Sequence, residues 1–362
     1  MEHGQLPSVL FLALDTFSRI GGIQAFNQRI ITCLARAAGG RPLVHIMRDV
    51  QDDVTPRSSL QVRAFGANRF GFICASVAAA RRVEVLLVGH INLLPVAMLC
   101  RLANPALRIV LFAHGDEVWA DPTYRRKRFY EPLLLAAVDI IASVSDFTAR
   151  RMAAAFGVSA QKFIIFPNAV SPSGFLRQSL GQAILCVARL GLHDRGKNID
   201  AVIRAMAQLP PELGTHHLHI VGDGPLRPEL EVLAGELGLQ GRVRFLGRLS
   251  NAALTEAYRE AGLFVMPSSK EGFGIVYLEA WQHGLPVICG NEDAAHEIVE
   301  HGVDGFVVDP GDIALLADRI AYLLRHPEIA LGMGACGQAK VRARYLAANF
   351  EANLAALLRV TR

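Results

Sequence analysis

The 362-residue sequence contains few cysteines, and they form no pattern. The six are scattered, without a Cys-x-x-Cys pair, at positions 33, 74, 100, 186, 289 and 336. This distribution argues against a disulfide framework or a zinc site and favours a reducing compartment. No other spacing typical of metal ligands is present either, so we expect neither a bound metal nor another cofactor.

The sequence also lacks a long uninterrupted apolar run. Its longest apolar stretch, residues 83–100, contains Glu84, His90, Asn92 and Pro95. Because a spanning helix needs about 20 residues with few or no charges, we expect a strand, a turn and a buried helix there and no transmembrane segment. The N-terminus has no basic region or cleavage site, which predicts no signal peptide. We therefore expect a cytoplasmic protein, with peripheral contact to the inner face of the plasma membrane as a further hypothesis.

A dinucleotide-binding fingerprint is absent as well. Such a fingerprint needs Gly-x-Gly-x-x-Gly after the first strand and an acidic residue about 20 residues further on. Only the pair Gly21–Gly22 stands at that place, which argues against a nicotinamide-dependent dehydrogenase. Paired glycines at a strand-to-helix turn allow a ligand to approach the backbone, although an ordinary tight turn has the same composition.

Apolar runs typical of buried strands alternate with amphipathic segments along the whole chain. In the first half these runs are residues 9–15, 43–49, 84–90, 108–114, 139–145 and 163–168. In the second half they are residues 183–190, 218–224, 243–249, 263–268, 286–290 and 305–310. A segment rich in proline, glycine and serine, residues 167–179, separates the two series as a linker would. The pattern predicts two α/β domains, each a doubly wound parallel sheet with helices on both faces.

The two halves differ in charge. Residues 1–175 contain 19 Lys and Arg against 12 Asp and Glu, whereas residues 176–362 contain 18 against 21. The densest basic cluster consists of four consecutive residues: Arg125, Arg126, Lys127 and Arg128. Three interpretations stay open for this cluster, namely the solvated face of a helix, a contact with an anionic membrane, and, third, nucleic acid, for which no recognised motif is present.

The most informative segment is residues 267–286, PSSKEGFGIVYLEAWQHGLP. An apolar strand precedes it, a proline then breaks the chain into a loop, and a helix is predicted from about Gly274 to His283. Glu271 then lies in a strand-to-helix loop whose glycines and helix N-terminus suit an anion. Glu279 lies in the helix among apolar neighbours, where a carboxylate needs donors such as ligand hydroxyls. From the residues alone, Glu271 could instead be a first-turn acid and Glu279 a solvated side chain.

This segment resembles the E-x7-E signature of retaining glycosyltransferases, in particular glycosyltransferase family 4, through E-G-F-G-x-x-x-L-E-A and the following G-x-P-V. The resemblance implies the GT-B fold, in which two Rossmann-like domains face each other across a cleft. It also implies that Glu271 contacts the transferred sugar and that Glu279 binds the nucleotide ribose. Four residues are expected to turn their backbone amides toward the sugar and the diphosphate: Gly272, Phe273, Gly274 and Ile275.

The resemblance extends to the first half of the chain. It implies that His114, at the end of an apolar run, contacts the transferred sugar and acts as a catalytic residue with Glu271. It places the Gly21–Gly22 loop beside the donor phosphates and the acceptor pocket, so we expect Gly22 on the donor side and Gly21 on the acceptor side. Asp116 or Glu117 is a candidate for positioning the acceptor, and each could equally be a surface acid.

In the second half the resemblance implies that Arg189 and Lys197 neutralise the nucleotide diphosphate, through charge-assisted contacts. Arg195 could compete with Lys197 for this role. The loop containing Leu249 is where family members meet the nucleobase. The chain departs from the family at residues 291–296, where Asn-Glu-Asp-Ala-Ala-His replaces a glycine-rich run before Glu297. This departure puts donor-sugar contacts in that loop in doubt.

Together with this resemblance, the sequence predicts a metal-independent glycosyltransferase that moves a sugar from a nucleotide-diphosphate donor to an acceptor hydroxyl of a glycan or lipid-linked acceptor. That the enzyme is a retaining one is implied by the resemblance alone. We expect an acceptor-binding domain over residues 1–175 and a donor-binding domain over residues 176–343. The last helix, residues 344–362, is expected to cross back to the first domain. The alternatives are a sugar-nucleotide 2-epimerase or a phosphorylase of the same fold, and a non-catalytic, membrane-associated scaffold. Cell-surface polysaccharide or glycolipid biosynthesis is the expected setting.

Overall fold

The structure is a computed structural model that describes residues 7–19, 21–36, 41–54, 59–66, 68–115 and 126–361. The chain divides into two compact units. The first unit consists of Met1–Asn168 and Ala347–Arg362, and the second consists of Ala169–Leu346. Each unit contains a parallel sheet with helices packed against it, which confirms the predicted α/β class.

The first unit is built on a parallel sheet that lies almost entirely in the interior. Its described strands are β1 (Val9–Ala13), β2 (Leu43–Ile46), β3 (Gln61–Ala64), β4 (Val85–Val88), β5 (Arg108–Ala113), β6 (Ile140–Ser143) and β7 (Phe163–Ile165). They pair in the order β3-β2-β1-β4-β5-β6-β7. Every residue of β1 and β4 is buried, because helices cover a parallel sheet on both faces and select continuous apolar runs.

Six described helices accompany this sheet. They are α1 (Gly22–Arg36), α2 (Arg69–Ala80), α3 (Leu94–Ala103), α4 (Glu131–Ala136), α5 (Asp146–Phe156) and α13 (Ala347–Val360). The last of them, α13, packs on α1 through Phe350, whose ring lies 5.3 Å from that of Phe26 and 4.8 Å from that of Phe166. Aromatic burial of this kind holds the C-terminal helix in the first unit.

The second unit repeats the architecture with a smaller sheet. Its described strands are β8 (Ala183–Val187), β9 (His217–Val221), β10 (Val243–Gly247), β11 (Ala261–Met266), β12 (Val287–Gly290) and β13 (Gly305–Val308). They pair in parallel in the order β10-β9-β8-β11-β12-β13. The central strand β11 is buried along its whole length.

The described helices of the second unit alternate with its strands. They are α6 (Ile199–Ala207), α7 (Arg227–Glu236), α8 (Asn251–Glu260), α9 (Ile275–Gln282), α10 (Ala295–Ile298), α11 (Ile313–Arg325) and α12 (Pro327–Arg344). A 3-10 turn, Leu192–Lys197, precedes α6. The strand-to-helix loops after β8, β11 and β12 leave the carboxyl ends of neighbouring parallel strands, where open α/β sheets place ligand-binding residues.

Arg177 attaches the proline-rich segment after Asn168 to the second unit. Its guanidinium donates to the carbonyls of five residues: Tyr258, Arg259, Ala261, His283 and Ser179. Burial lowers the pKa of Arg177 to about 10, so the side chain stays charged near neutral pH. Because the planar guanidinium group of Arg177 uses all its N–H donors on backbone carbonyls, it holds this segment rigidly.

The twelve apolar runs each contain a strand, so the strand predictions are confirmed, with ends that differ by a few residues. The interpretation of residues 83–100 as a strand, a turn and a buried helix is also confirmed by β4, a 3-10 turn and α3. One strand, β3, was missed. Its sequence QVRA alternates between exposed and half-buried residues at the edge of the sheet, where one side faces solvent and a continuous apolar run is not needed.

Candidate active site

The loop between β11 and α9, residues 267–274, contains the first half of the signature and is called the β11–α9 loop below. Gly272, Phe273 and Gly274 are all buried in it. Gly274 has a φ of +88°, and a Cβ added there would lie 2.5 Å from the ring of Tyr277. The glycine is therefore required by the backbone conformation and by the Tyr277 ring, in addition to any need of a ligand.

Lys197 and Glu271 meet in an ion pair at this loop. Their side chains are only 16% and 17% exposed. Lys197 is the last residue of the 3-10 turn before α6, and Glu271 stands in the β11–α9 loop ahead of the first residue of α9, Ile275. The alternative of Glu271 as a first-turn acid is therefore wrong. The structure brings together two residues that the sequence assigned to the same ligand.

Asn198 explains why Lys197 points at the loop. It has a φ of +53° and is the one described non-glycine residue with a positive φ. Its side-chain amide donates to the carbonyl of Pro267 over 2.7 Å, and the N–H of Ser269 donates to Gly196 over 2.7 Å. These two bonds join the turn to the β11–α9 loop, and asparagine tolerates the left-handed conformation better than other side chains.

The other two basic candidates have different partners. Arg195 forms a two-pronged ion pair with Glu229 of α7, with N–O distances of 2.7 and 2.6 Å. Arg189 follows β8, is 66% exposed, and has Nη2 3.2 Å from a carboxylate oxygen of Asp194. Lys197, and not Arg195, therefore forms the ion pair with Glu271. Arg189 lies at the same carboxyl end of the sheet, and its side chain faces solvent.

Asp293, in the loop after β12, was missed by sequence reasoning and is fully buried. One of its carboxylate oxygens accepts from the N–H of Glu271 over 2.8 Å and the other from the N–H of Ala295 over 2.9 Å. The Ser268 hydroxyl also hydrogen-bonds to it. Burial, followed by the negative charge of Glu271, raises the pKa of Asp293 to about 7.

Glu279, the second glutamate of the signature, lies half-buried in α9. The hydroxyl of Tyr258 donates to its carboxylate over 3.0 Å. Tyr258 is buried and stacks on His283 at 5.3 Å. Burial, together with the charge of Glu279, raises the pKa of Tyr258 well above its usual range, which keeps this donor protonated. Glu279 therefore has a protein partner of its own, and it is not merely a solvated side chain.

The glycine loop of the first unit has a different environment. Gly22 is the first residue of α1, and a Cβ added to it would meet nothing within 4 Å in the part of the chain that the structure describes. The preceding residues are held by the buried Asp49, which accepts from the N–H groups of Thr16 and Phe17 and from the hydroxyl of Ser18 over distances of 2.6–3.3 Å. Open space in front of Gly22 is what a ligand-facing glycine requires.

His114 follows β5 and is half-buried. Its Nε2 lies 3.1 Å from the carbonyl oxygen of Gly89, and its ring meets that of Phe26 edge-on at 4.8 Å. These contacts fix the plane of the imidazole at the carboxyl end of the sheet. Three candidates lie outside the described residues: Asp116, Glu117 and Arg125.

Two family models match the chain. The one described as "Glycosyl transferases group 1" matches residues 178–339, and the one described as "Glycosyltransferase Family 4" matches residues 20–173. A GDP-mannose-dependent alpha-(1-6)-phosphatidylinositol monomannoside mannosyltransferase of Mycobacterium tuberculosis is 32% identical over an alignment of 289 positions, and the alignment covers 73% of this chain and 73% of the relative. The chain belongs to glycosyltransferase family 4. The expected family is confirmed, and the protein is a glycosyltransferase.

Solved structures show the same fold. HepE of Anabaena, crystallised with UDP, superposes with a TM-score of 0.81 at 19% identity and covers 98% of this glycosyltransferase and 100% of its own chain. Sucrose-phosphate synthase of Thermosynechococcus elongatus superposes with a TM-score of 0.79 at 20% identity, covering 97% and 98% of the two chains. The predicted GT-B fold, with two Rossmann-like units, is confirmed by these likenesses.

A cavity of about 540 Å³ lies beside Glu297 in the second unit of this glycosyltransferase. It is lined by residues of α10 and α12 and the residues that follow them, among them His296, Lys340, Arg344 and Tyr345. Glu297 thus borders open space directly after the segment 291–296 that departs from the family. The cavity provides room for a polar ligand without assigning one.

The remaining candidates occupy exposed or half-buried positions. Leu249 is half-buried just beyond the end of β10. The residues Arg126, Lys127 and Arg128 form an exposed, non-helical segment before α4, so the interpretation as a helix face is wrong for these three. Among the described residues no cluster of three or more His, Cys, Asp or Glu side chains is arranged to hold a metal.

Proposed function

We propose that this protein is a retaining glycosyltransferase that takes its sugar from a nucleotide-diphosphate donor. The observation that carries the proposal is the nearly buried ion pair of Lys197 and Glu271 in front of α9. A lysine and a carboxylate held together at a helix N-terminus match the two halves of such a donor, since the ammonium attracts the diphosphate and the carboxylate accepts from sugar hydroxyls. The family membership supports the same assignment.

The proposed reaction is substitution at the anomeric carbon from one face. The bond between this carbon and the diphosphate oxygen breaks, and the acceptor oxygen forms a bond to the carbon on the same face. The proton of the acceptor hydroxyl passes to the departing phosphate oxygen. Lys197, Arg189 and the N-terminus of α9 stabilise the charge of the leaving diphosphate, which is electrostatic preorganisation without a metal.

Other residues orient the substrates in this proposal. Glu271 and His114 position the transferred sugar, and Glu279 accepts from the ribose hydroxyls. Its bond from Tyr258 leaves further acceptor capacity, because a carboxylate has about four lone-pair sites. The glycines at 21 and 22 allow the donor phosphates and the acceptor to approach the backbone. The acceptor is held by residues of the first half of the chain.

The relatives suggest where to begin with substrates. The Mycobacterium tuberculosis relative is described as GDP-mannose-dependent and acting on a phosphatidylinositol monomannoside, and one solved structure of HepE holds UDP-glucose. GDP-mannose and UDP-glucose are therefore the first donors to test, and a glycolipid with a free sugar hydroxyl is the first acceptor. A glycolipid or cell-surface polysaccharide pathway is the proposed setting.

The test combines binding with turnover. A panel of nucleotide sugars is screened for thermal stabilisation, since a ligand that binds the folded state raises its melting temperature by mass action. The best donor is then incubated with the acceptor, and NMR of the product gives its anomeric configuration. An inverted product contradicts retention. Formation of an isomeric nucleotide sugar without acceptor supports the epimerase, and absence of binding to any nucleotide sugar supports the scaffold.

We also propose that the first unit touches anionic lipid through the loop before α4. Phe129, which follows Arg126, Lys127 and Arg128 in the sequence, is 95% exposed, and Leu133 of α4 is 74% exposed. Each basic residue near an anionic surface contributes about 1 kcal/mol, and exposed apolar side chains insert at the headgroup level. None of the described helices is long and apolar enough to cross a membrane, so the proposal concerns surface contact.

Flotation on anionic and neutral vesicles at low and high salt tests this surface. The protein is expected to float only with anionic vesicles and only at low salt. A variant with serine at positions 126, 127 and 128 is expected to lose flotation. A matched variant with serine in place of Arg81 and Arg82, two exposed basic residues after α2, is expected to keep it. Equal behaviour of the two variants contradicts the proposal.

A further inference from the structure

Asp293 connects two loops at the carboxyl end of the second sheet. It follows β12, the strand that pairs with β11, and is 0% exposed. Its carboxylate accepts from the N–H of Glu271 at 2.8 Å and from the N–H of Ala295 at 2.9 Å. In return the carbonyl of Glu271 accepts from the N–H of Ala294 at 3.1 Å. Glu271 is therefore held at both its N–H and its carbonyl by the loop that contains Asp293.

A second contact extends this hold along the β11–α9 loop. The hydroxyl of Ser268, a fully buried residue, hydrogen-bonds to Asp293. The N–H of Lys270 donates to the Ser268 hydroxyl oxygen over 3.2 Å. Asp293 thus determines the backbone path of the segment that presents the Glu271 carboxylate to Lys197. A shift of about 1 Å in such a segment can cost on the order of a hundredfold in rate.

Among the described residues, two charged groups act on Asp293. Glu271 faces it from the β11–α9 loop and Lys197 from the turn before α6. Tyr277 of α9 and Cys289 of β12 also face it, but burial raises the pKa of each well above its usual range, so both are neutral near pH 7. Glu271 opposes the ionised form of Asp293 and Lys197 favours it, which makes the protonation of Asp293 depend on the ion pair that it positions.

We propose that Asp293 is a positioning residue for Glu271, and that its protonation loosens the β11–α9 loop and lowers sugar transfer. The ionised carboxylate accepts three hydrogen bonds, and a protonated carboxyl group gives up acceptor capacity where these donors point. The pKa of about 7, raised mainly by burial, places this change near neutral pH. This inference rests on the proposed function for its activity readout only.

The first experiment compares pH profiles of transfer. In the wild type we expect kcat/KM to fall as the pH drops from 8 to 6. Asp293→Asn presents an amide N–H to one of the backbone donors, so we expect kcat/KM at pH 8 to be lower by on the order of tenfold to a hundredfold, with kcat reduced more than KM is raised. The variant is expected to lose the acid decline between pH 8 and 6.

Asp304→Asn is the matched control. Asp304 is also a buried acid of the second unit and accepts from a backbone N–H, that of Glu300, over 2.8 Å, but it pairs with Lys340 and makes no described bond to the β11–α9 loop. A loss of stability alone lowers the active fraction and leaves KM and the pH profile unchanged. If Asp293→Asn keeps the wild-type pH profile or behaves like Asp304→Asn, the proposal is overturned.

The second experiment needs no activity. Carbon NMR of the Asp293 carboxyl group, assigned by its absence in Asp293→Asn, follows its titration in the ligand-free protein. Ser268→Ala removes a bond that favours the charged form and is expected to move the midpoint to higher pH, whereas Glu271→Gln removes a negative charge and is expected to move it to lower pH. Absence of titration near neutral pH, or shifts in other directions, overturns the coupling. If no nucleotide sugar is a substrate, the proposed function fails and this titration still decides whether Asp293 responds to Glu271.

Discussion

The loop after β1 in the first unit and the loop after β11 in the second are held by the same device. In each case a buried aspartate from the loop after a neighbouring strand, Asp49 or Asp293, accepts hydrogen bonds from the loop. The three described donors to the Asp49 carboxylate all belong to residues 16–18. Asp293 accepts hydrogen bonds both from the β11–α9 loop and from the first residue of the following helix, α10. It also lies beside the negative charge of Glu271. The first arrangement joins one short loop to a single carboxylate, whereas the second couples the loop that presents Glu271 to a carboxylate whose protonation we propose to control its geometry.

We expect the largest effect from a substitution of Lys197, which pairs with Glu271 of the β11–α9 loop. Lys197→Ala removes the cation beside Glu271, and we expect kcat/KM for transfer to fall by on the order of a hundredfold to a thousandfold because leaving-group stabilisation is lost. Arg195→Ala is the matched control, since this neighbour pairs with Glu229 instead. Steady-state kinetics with the best donor measure both variants. Equal losses in the two variants would contradict the role of Lys197.

The next prediction concerns the effect of Asp293 on the pH dependence of stability. The pKa of Asp293 is raised from 3.8 to about 7, so the native state binds more protons than the unfolded state between these values, and stability falls as the pH rises through that window. From pH 5 to pH 8 we expect the free energy of unfolding of the wild type to fall by about 2–3 kcal/mol relative to Asp293→Asn. Urea unfolding measures it.

Trp281 of α9 reports on the second unit in this measurement. In a Trp119→Phe background it is the one remaining tryptophan of the chain, so its fluorescence follows the unfolding of the unit that contains Asp293. Both Asp293→Asn and its Asp293 parent are made in that background. A difference between them that does not change with pH would show that Asp293 is not the titrating group.

Two glycine substitutions compare how much space the backbone of each loop leaves for a side chain. Gly274→Ala introduces a Cβ at a φ of +88° and against the Tyr277 ring, and we expect it to destabilise the second unit by about 1–3 kcal/mol. Gly22→Ala introduces a Cβ into open space, and we expect a change in stability within about 0.5 kcal/mol. Thermal unfolding followed by circular dichroism compares the two. If Gly22→Ala raises KM while stability is unchanged, the space in front of α1 belongs to a substrate.

The last prediction concerns Glu279, the second glutamate of the signature. Tyr258→Phe removes the hydroxyl that donates to Glu279 over 3.0 Å, and we expect a loss of stability of about 1 kcal/mol. We expect the donor KM to change by less than about threefold, because the ribose hydroxyls of the donor still donate hydrogen bonds to the Glu279 carboxylate. Unfolding of Tyr258→Phe in the Trp119→Phe background gives the loss of stability, and steady-state kinetics give the change in donor KM. A loss as large as that of Lys197→Ala would make Tyr258 part of the donor site.

Much of the site could be predicted from the order of residues, and some of it could not. Glu271, Gly274 and the start of α9 were predictable because strand, loop and helix follow one another and each has a local composition. Asp293 was not, since a single aspartate in a polar loop has no local sign that it is buried. Tyr258 was missed for the same reason, because its partner Glu279 lies 21 residues away on another helix.

The amino-acid sequence by itself determined the two α/β units, twelve of the described strands and the signature loop, because apolar periodicity, glycine and proline act over a few residues at a time. Only the tertiary structure decided which charges meet. Lys197 and Glu271 are 74 positions apart, and Arg195 is nearly as close to Glu271 along the chain. Because β8, β11 and β12 are neighbours, Lys197, Glu271 and Asp293 meet at the carboxyl end of the sheet. The turn at Asn198 determines that Lys197, and not Arg195, pairs with Glu271.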